Sequence, residues 1–460
     1  MAIDDPIRAG IARGWRTIDA STLTRDTDYE CDVAIVGTGA GGGTAAEIFA
    51  EEGLTVIMVE EGPLRSSSDF HMREREAYPD LYQESAARKT RDFAVNILQG
   101  RCVGGGTTVN WTSSFRTPAA TLAQWRTLHG VEGFDEASLE PWFERMEARL
   151  GVAPWRTAPN ANNAALARGA TRLGVHHDAI RRNVRGCWNL GYCGMGCPTN
   201  AKQSMLVTTI PAALDRGATL LSRTRALEFT FAGDHVSTLR CAALAANGTD
   251  ASPWKLRIRA RAFVAAGGAI NTPGLLLRSG VPDPHHLVGT RTFLHPTVVS
   301  AALMPERIDA FAGAPQSIYS DQWLDGTAAS GPIGYKLEAP PVHPILAAIT
   351  LPDHGAAHAR LMQRLPDWHV LIALLRDGFS TQSQGGAVRL RGDGSAELDY
   401  PFSDYLWDGV RRAMTSMAQL QFAAGATSVI PVHARGAEFR DVESAQRAIA
   451  GFALAPRITP

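Results

Sequence analysis

Residues 31–63 read CDVAIVGTGAGGGTAAEIFAEEGLTVIMVEEGP, and this stretch decides the fold. The short apolar run at 33–36 is rich in β-branched side chains, which predicts a strand buried on both faces. Three glycines follow it in the pattern G-x-G-x-x-G, namely Gly37, Gly39 and Gly42. The first allows a tight turn, the second lets a pyrophosphate approach the backbone, and the third lets the next helix pack closely on the strand.

The residues after the glycines complete a strand–helix–strand unit. Residues 44–52 are predicted to form a helix whose N-terminus faces an anion, and Gly53 ends it. A second apolar strand at 55–59 is followed by Glu60, 23 residues after Gly37. An acidic side chain near this spacing reaches a ribose hydroxyl of a dinucleotide. The unit therefore predicts a dinucleotide site, with a glycine-rich structural turn as the alternative, and it does not distinguish FAD from NAD.

The composition indicates a globular protein of two or three domains. The 460 residues include 45 Lys and Arg and 46 Asp and Glu, and 45% are hydrophobic. A chain so close to neutrality has no electrostatic reason to bind nucleic acid. The sequence also lacks an uninterrupted apolar run long enough for a membrane span or a secretory signal, so we expect a cytoplasmic protein without a membrane span.

A second glycine-rich stretch, QGRCVGGGTTVNWTSSFRTP, occupies residues 99–118. Its three consecutive glycines are followed by Thr107, Thr108 and Asn110, which supply backbone and side-chain donors with little steric bulk. Such a loop suits a phosphate or a flat ring, and a flexible linker is the alternative. The helical pattern at 122–150 then predicts a set of core side chains. These are Trp125, Leu128, Leu139, Trp142, Phe143 and Met146.

Three cysteines are clustered in the segment GCWNLGYCGMGCPTNAK at 186–202. Cys187, Cys193 and Cys197 have the spacing C-x5-C-x3-C before a proline, which partly matches the end of ferredoxin cysteine runs. A four-ligand cluster or a structural zinc would need one more ligand. Three hypotheses stay open, namely an iron–sulfur cluster, a metal-free loop with buried thiols, and redox-active cysteines.

The remaining pattern alternates strands and helices and then changes character near residue 298. We predict a helix at 204–217, strands at 219–222, 227–231 and 262–266, and a hairpin at Asn247-Gly248. The last strand runs into Gly267 and Gly268, and Pro273 fits the first turn of the next helix. Beyond it, repeated prolines, a hairpin turning at Asp393-Gly394 and a helix at 408–423 predict a separate antiparallel sheet with helices.

These stretches together resemble the glucose–methanol–choline (GMC) family of FAD-dependent alcohol oxidoreductases. VAIVGTGAGGG with VEEGP resembles the N-terminal FAD motif of that family. GRCVGGGTTVNWTSSFR, with Asn110 and Arg116, is similar to its first signature, and VAAGGAINTPGLLLRSG to its second. VGTRTFLHP, ending at His295 and Pro296, is similar to the segment that follows.

The resemblance implies an α/β fold, with a Rossmann-like FAD-binding domain and a substrate domain of antiparallel sheet and helices. The expected boundaries are a lead-in at 1–28, a FAD-binding domain at 29–150 and 200–297, a cysteine-containing excursion at 151–199, and a substrate domain at 298–460. By this resemblance Gly37, Gly39 and Gly42 place the pyrophosphate and Glu60 binds the ribose. A second set approaches the pyrophosphate and isoalloxazine, and one backbone position the adenine: Gly104, Gly105, Thr107 and Asn110, and then Ala226.

One family feature is not found in this sequence. The family carries a His-x-x-Gly segment with the catalytic histidine and then an Asn-Pro-x-x-Thr segment that touches the flavin. His433, followed by Ala434, Arg435 and Gly436, lacks the family context, and the sequence stops at GFALAPRITP. We therefore expect a fragment without the C-terminal part of the FAD domain, and the catalytic residue stays unassigned.

The leading hypothesis is a FAD-dependent oxidoreductase acting on the CH–OH group of a small-molecule alcohol. In the family the histidine takes the hydroxyl proton while a hydride passes to flavin N5. The electron acceptor is oxygen, a quinone or a redox protein, and the substrate and the choice between oxidase and dehydrogenase stay open. The alternatives are a NAD-dependent dehydrogenase and a truncated, inactive flavin-binding protein.

Overall fold

The computed structural model describes residues 3–324, 331–351, 354–434 and 437–455. The strands in chain order are β1 (Arg16–Asp19), β2 (Thr27–Val36), β3 (Val56–Val59), β4 (Val152–Pro154), β5 (Asp178–Ala179), β6 (Arg181–Asn183), β7 (Thr219–Ser222), β8 (Thr224–Ala232), β9 (His235–Leu244), β10 (Ala251–Ala265), β11 (Thr297–Leu303), β12 (Ile318–Trp323), β13 (Tyr335–Glu338), β14 (Trp368–Leu375), β15 (Ala387–Leu390), β16 (Ala396–Asp399) and β17 (Ser428–Pro431). The helices are α1 (Pro6–Ala12), α2 (Ala40–Glu51), α3 (Glu74–Leu81), α4 (Gly106–Val109), α5 (Ala119–His129), α6 (Glu136–Leu150), α7 (Ala161–Leu173), α8 (Thr209–Asp215), α9 (Gly268–Arg278), α10 (Pro344–Thr350), α11 (Gly355–Gln363), α12 (Asp404–Ala423) and α13 (Val442–Gly451).

The first sheet has the strand order β1-β7-β3-β2-β10-β9-β8. Strands β1, β7, β3, β2 and β10 are parallel to one another, whereas β9 pairs antiparallel with both β10 and β8. The predicted strands at 33–36 and 55–59 lie side by side in register, with Val33 opposite Val56. The predicted hairpin at Asn247-Gly248 joins β9 to β10. The strand–helix–strand unit expected from the glycine motif is therefore confirmed.

Both faces of this sheet are buried, which explains the uninterrupted apolar runs in its central strands. Val33, Ile35 and Met58 point to one face and pack in a cluster that contains side chains of α2 and α8. Their neighbours Ala34 and Ile57 point to the other face and pack against residues of β8, β9 and α9. Because successive side chains of a strand alternate between faces, two buried faces require apolar residues at every position.

The second sheet has the strand order β17-β11-β14-β13-β12-β5, and its described pairs are antiparallel. Helices α7 and α12 pack on one of its faces around Leu337, Leu371 and Met417. The predicted hairpin at Asp393-Gly394 is present as β15 and β16, which pair separately and contact α9. This architecture confirms the predicted fold class, in which a Rossmann-like sheet is combined with a second, antiparallel sheet.

Some stretches lie elsewhere than the sequence pattern suggests. Residues 3–28, within the stretch predicted as a lead-in, contain α1 and β1, and β1 is an edge strand of the first sheet. The cysteine-containing excursion at 151–199 contributes α7 and β5 to the second sheet and its helical layer. Pro273 lies in the middle of α9, which begins at Gly268, so its placement in a first helical turn is wrong.

The predicted helical stretch at 122–150 forms two helices, α5 and α6, and the core prediction is wrong for half of its six residues. Trp125, Leu128 and Trp142 are 37%, 51% and 59% exposed, respectively, whereas Leu122 of the same stretch is buried. Apolar periodicity identifies a helix face, but it does not show that another layer covers that face. Among the described residues, the structure contains no helix that is both long and apolar enough to cross a membrane.

Candidate cofactor site

The first glycine motif is packed so closely that two of its three glycines admit no side chain. Gly37 has φ +95°, and a Cβ atom there would lie 2.5 Å from the carbonyl oxygen of Ala266, the residue that follows β10. A Cβ atom on Gly42 would lie 1.9 Å from the carbonyl oxygen of Gly37. The tight turn and the close strand–helix contact predicted for these two positions are therefore present.

Gly39 is the N-cap residue of α2 and has no side chain to cap it. The first amide groups of a helix have no partner within the helix, and the helix dipole favours an anion beside them. The next two residues, Ala40 and Gly41, are exposed. The N-terminus of α2 therefore has free donors in an accessible position, as phosphate binding requires.

The second glycine stretch packs directly against this N-terminus. Gly105 has φ +53°, and a Cβ atom there would lie 2.8 Å from the Cα atom of Gly39. A Cβ atom on Gly104 would lie 2.3 Å from the side-chain oxygen of Thr108. Two glycine loops that are well separated in sequence thus form one junction. Its floor is bare backbone, and added side chains would fill it.

Glu60 lies behind this junction and is 7% exposed. Its Oε2 accepts hydrogen bonds from the backbone N and Oγ1 of Thr38, at 3.1 and 2.7 Å, and its Oε1 accepts one from Gly62 N at 3.0 Å. Burial raises the pKa of the Glu60 carboxyl, an effect that these hydrogen bonds oppose. Oε1 retains a second lone pair. The carboxylate can therefore accept one more donor, such as a ribose hydroxyl.

Thr38 connects the two loops and was not identified from the sequence. Its hydroxyl donates to Glu60 and accepts a hydrogen bond from Gly104 N at 3.0 Å. The residue is fully buried, so neither bond competes with solvent. Thr38 occupies a variable position of the G-x-G-x-x-G pattern, and only its contact with the second loop reveals its role.

The two polar side chains predicted in the second loop shape that loop. Thr107 Oγ1 donates to Gly104 O at 2.6 Å and accepts from Met205 N at 3.0 Å. Asn110 Oδ1 accepts from Thr112 N at 3.2 Å. These bonds hold the short helix α4 in place, so the side chains contribute to the site by fixing the backbone around it. Arg116, by contrast, forms ion pairs with Glu140 and Glu147 at the surface.

Ala226 lies in β8, whose first residue is bonded to the end of β3. Thr224 N donates to Glu60 O at 2.9 Å, and Arg223 N donates to Gly62 O at 3.1 Å. The carbonyl oxygen of Ala226 accepts from Arg278 at 3.2 Å. The backbone at Ala226 is thus two residues from a direct partner of Glu60, next to the carboxyl end of the parallel strands.

Two buried cations, also missed by sequence reasoning, support the second loop from behind. Lys202 is 2% exposed, and its Nζ donates to the carbonyl oxygens of Thr108, Asn110 and Cys193 at 2.8, 2.6 and 2.7 Å. Arg182 is 1% exposed and donates to Trp111 O and Thr112 Oγ1 at 3.1 and 2.8 Å. Together they hold the backbone from 108 to 112.

The three clustered cysteines have separate partners. Cys187 Sγ accepts from Asn189 N and Cys197 Sγ from Lys202 N, each at 3.4 Å, while Cys193 Sγ lies 3.8 Å from an amino group of Arg182. Within the described ranges, no group of three His, Cys, Asp or Glu side chains is arranged to hold a metal ion. The structure therefore gives no support to the iron–sulfur hypothesis for these cysteines.

The two histidines considered from the sequence differ in environment. His433 is buried, its ring stacks on Phe452 at a centroid distance of 4.3 Å, and its Nε2 lies 3.0 Å from Ala453 O. The Arg435 and Gly436 that complete the His-x-x-Gly pattern lie outside the described residues. His295 is exposed. A ring stacked in the interior is not free to meet a substrate, so His433 is a structural residue.

Comparison with known proteins finds similarity to one family. The family model described as GMC oxidoreductase matches residues 78–297, a range that contains the second glycine loop, the cysteine segment and the second signature. The uncharacterized GMC-type oxidoreductase y4nJ of Sinorhizobium fredii is 29% identical over 423 residues, covering 89% of this chain and 78% of that protein. These matches support membership of the chain in the GMC oxidoreductase family.

Other relatives extend the comparison within the GMC family. Long-chain-alcohol oxidase FAO1 of Arabidopsis thaliana is 27% identical over 420 residues, covering 88% of this chain and 53% of that protein. The chain thus spans about half the length of this relative. Formate oxidase of Aspergillus oryzae RIB40, whose structure concerns modification of its FAD, has a TM-score of 0.63 at 15% identity over 93% of this chain and 87% of that one. This last similarity supports the fold.

Proposed function

We propose that this chain binds FAD at the junction of its two glycine loops and oxidises the CH–OH group of an alcohol. The observation that carries the proposal is the approach of Gly105 to Gly39 at the uncapped N-terminus of α2. A NAD site of the ordinary Rossmann type needs only the first loop. A second glycine loop packed against the first favours a larger cofactor whose ring system extends along it.

Each part of the cofactor is held by a different group of residues in this proposal. Gly37, Gly39 and Gly42, with the first amides of α2, hold the pyrophosphate, and Glu60 receives a ribose hydroxyl through the free lone pair of Oε1. The backbone around Ala226 faces the adenine. The remaining group, which lies along the isoalloxazine side, consists of Gly104, Gly105, Thr107 and Asn110.

FAD, when bound, would accept the hydride that leaves the carbinol carbon. The protein's part is to fix the ring and to exclude water from its buried side, and the closely packed backbone at 104–110 serves both purposes. The substrate class is proposed from FAO1, a long-chain-alcohol oxidase by name. The electron acceptor is proposed to be oxygen, a quinone or a redox protein.

Anaerobic reduction of the bound flavin tests this function. The purified full-length protein is reconstituted with FAD, freed of excess cofactor and mixed without oxygen with primary alcohols and sterols, while the flavin absorption band is followed. We expect at least one alcohol to bleach the band, and an artificial acceptor to restore it. Binding of NAD in preference to FAD would support the dehydrogenase alternative instead. Retention of FAD without bleaching by any alcohol would leave only a flavin-binding function.

A further inference from the structure

Lys202 and Arg182 are two buried positive charges without a negative partner. Both are at most 2% exposed, and in the described part of the chain neither has a carboxylate among its hydrogen-bond partners. Their hydrogen-bond acceptors are backbone carbonyls, one hydroxyl and the sulfur of Cys193. Burying a charge without a counter-charge is expensive, so it is unusual to find two together.

The geometry at Lys202 is specific. An ammonium group has three donors, and here each one meets a carbonyl oxygen within 2.8 Å, two in the loop at 108–110 and one at Cys193. The loop is therefore tied at its back to the cysteine segment. Carbonyls that point to Lys202 cannot point to the front of the loop, where an electron-rich ligand would be repelled by them.

The charged and titratable groups around Lys202 determine how far its positive charge is compensated. Burial lowers the pKa of Lys202 to about 8, and the charged or titratable groups around it are Arg182 and the thiols of Cys102, Cys193 and Cys197. At neutral pH the Lys202 ammonium is therefore still protonated. A net positive charge thus remains directly behind the loop. Negative charge that develops on its front side would be stabilised by it.

We propose that Lys202 is a positioning residue that fixes the flavin-facing loop and whose ammonium stabilises the negative charge gained by the flavin ring on reduction. This inference rests on the proposed FAD site. The free-energy cost of burying the Lys202 charge is offset by stabilisation of the flavin ring once it has accepted electrons. Preorganised charges act in catalysis in this way.

Sulfite affinity provides a probe that is independent of substrate turnover. Sulfite adds through its sulfur lone pair to N5 of oxidised flavin, the electron pair passes into the ring, and the adduct carries the added negative charge there. The loss of the flavin band reports the dissociation constant. In Lys202→Met we expect sulfite to bind about tenfold more weakly or worse, with Lys202→Arg closer to wild type because the charge is kept. Lys255→Met, at an exposed lysine of β10, should match wild type.

A pH profile of the wild-type protein covers the case in which substituted chains fail to fold. The affinity of the wild type, expressed per sulfite dianion, should fall as pH rises through about 8, where Lys202 loses its proton. In Lys202→Arg that fall should be absent. If wild type binds FAD but its profile is flat, or if a folded Lys202→Met binds sulfite like wild type, the inference is wrong. If the wild type binds no FAD at all, the proposed function fails and the inference fails with it.

Discussion

The two glycine loops are supported from behind by buried charges of opposite sign. Behind the first loop, the Glu60 carboxylate gathers N–H and O–H donors from Thr38 and Gly62. Behind the second, the Lys202 ammonium gathers carbonyl acceptors from Thr108, Asn110 and Cys193. A charge of each sign selects the backbone groups that turn toward it. The remaining backbone groups of each loop are then available to a ligand. Thr38 connects the two glycine loops, because its hydroxyl accepts a hydrogen bond from Gly104 N.

The largest expected effect comes from filling the first loop. In Gly42→Ala the new Cβ would lie 1.9 Å from the carbonyl oxygen of Gly37, so strand β2 and helix α2 must separate. We expect a loss of about 3 kcal/mol or more in the free energy of unfolding, measured by urea denaturation. Gly41→Ala is the matched control, because nothing lies within 4 Å of its Cβ. Equal stability of the two variants would contradict the close contact.

The Thr38→Val substitution removes the hydroxyl that connects the two glycine loops and keeps the shape of the side chain. Thr38→Val deletes the donor to Glu60 and the acceptor for Gly104 N, both in a fully buried position. We expect a loss of about 1–3 kcal/mol in the same urea measurement and weaker FAD binding. Thr44→Val, whose hydroxyl bonds Ala40 O within α2, should change stability by about 0.5 kcal/mol or less. A result in which Thr38→Val behaves like Thr44→Val would remove Thr38 from the junction.

The smallest effects are opposite slopes of stability against pH at the two charges. The Glu60 pKa is raised on folding, so the folded state holds its proton more tightly and wild type loses stability relative to Glu60→Gln as pH rises above 4.5. The Lys202 pKa falls from 10.5 to about 8, so the unfolded state holds its proton more tightly and wild type gains relative to Lys202→Met between these values. Urea unfolding across both windows measures the slopes. Slopes of the same sign would contradict the opposite pKa shifts of Glu60 and Lys202.

The two charged residues also differ in how far the sequence could identify them. Glu60 follows a predicted strand at a spacing measured from Gly37, and this local regularity is enough to predict its position beside the turn. Lys202 contacts carbonyl oxygens of residues more than ninety positions earlier, and backbone carbonyls carry no sequence signal. Thr38 was missed for the same reason, since its second partner is a backbone amide in another loop.

The same distinction applies to the fold. Strands β2 and β3 are recognisable because two buried faces make every residue apolar, and the hairpin at Asp393-Gly394 because its turn chemistry is local. Periodicity mispredicts the burial of α5 and α6, since Trp125 and Trp142 lie on faces that are largely exposed. Local sequence chemistry identifies a helix or strand, but the burial of that element depends on contacts between distant parts of the chain.

The central claim is that the two glycine loops meet to form one FAD site, and equilibrium titration of FAD onto Gly105→Ala tests it most directly. A Cβ at Gly105 would lie 2.8 Å from Gly39 and would require an unfavourable positive φ, whereas nothing lies within 4 Å of a Cβ at Gly106. We predict saturable FAD binding by wild type and Gly106→Ala, and binding weakened about tenfold or more in a folded Gly105→Ala. FAD affinity that is the same in all three proteins would contradict the claim.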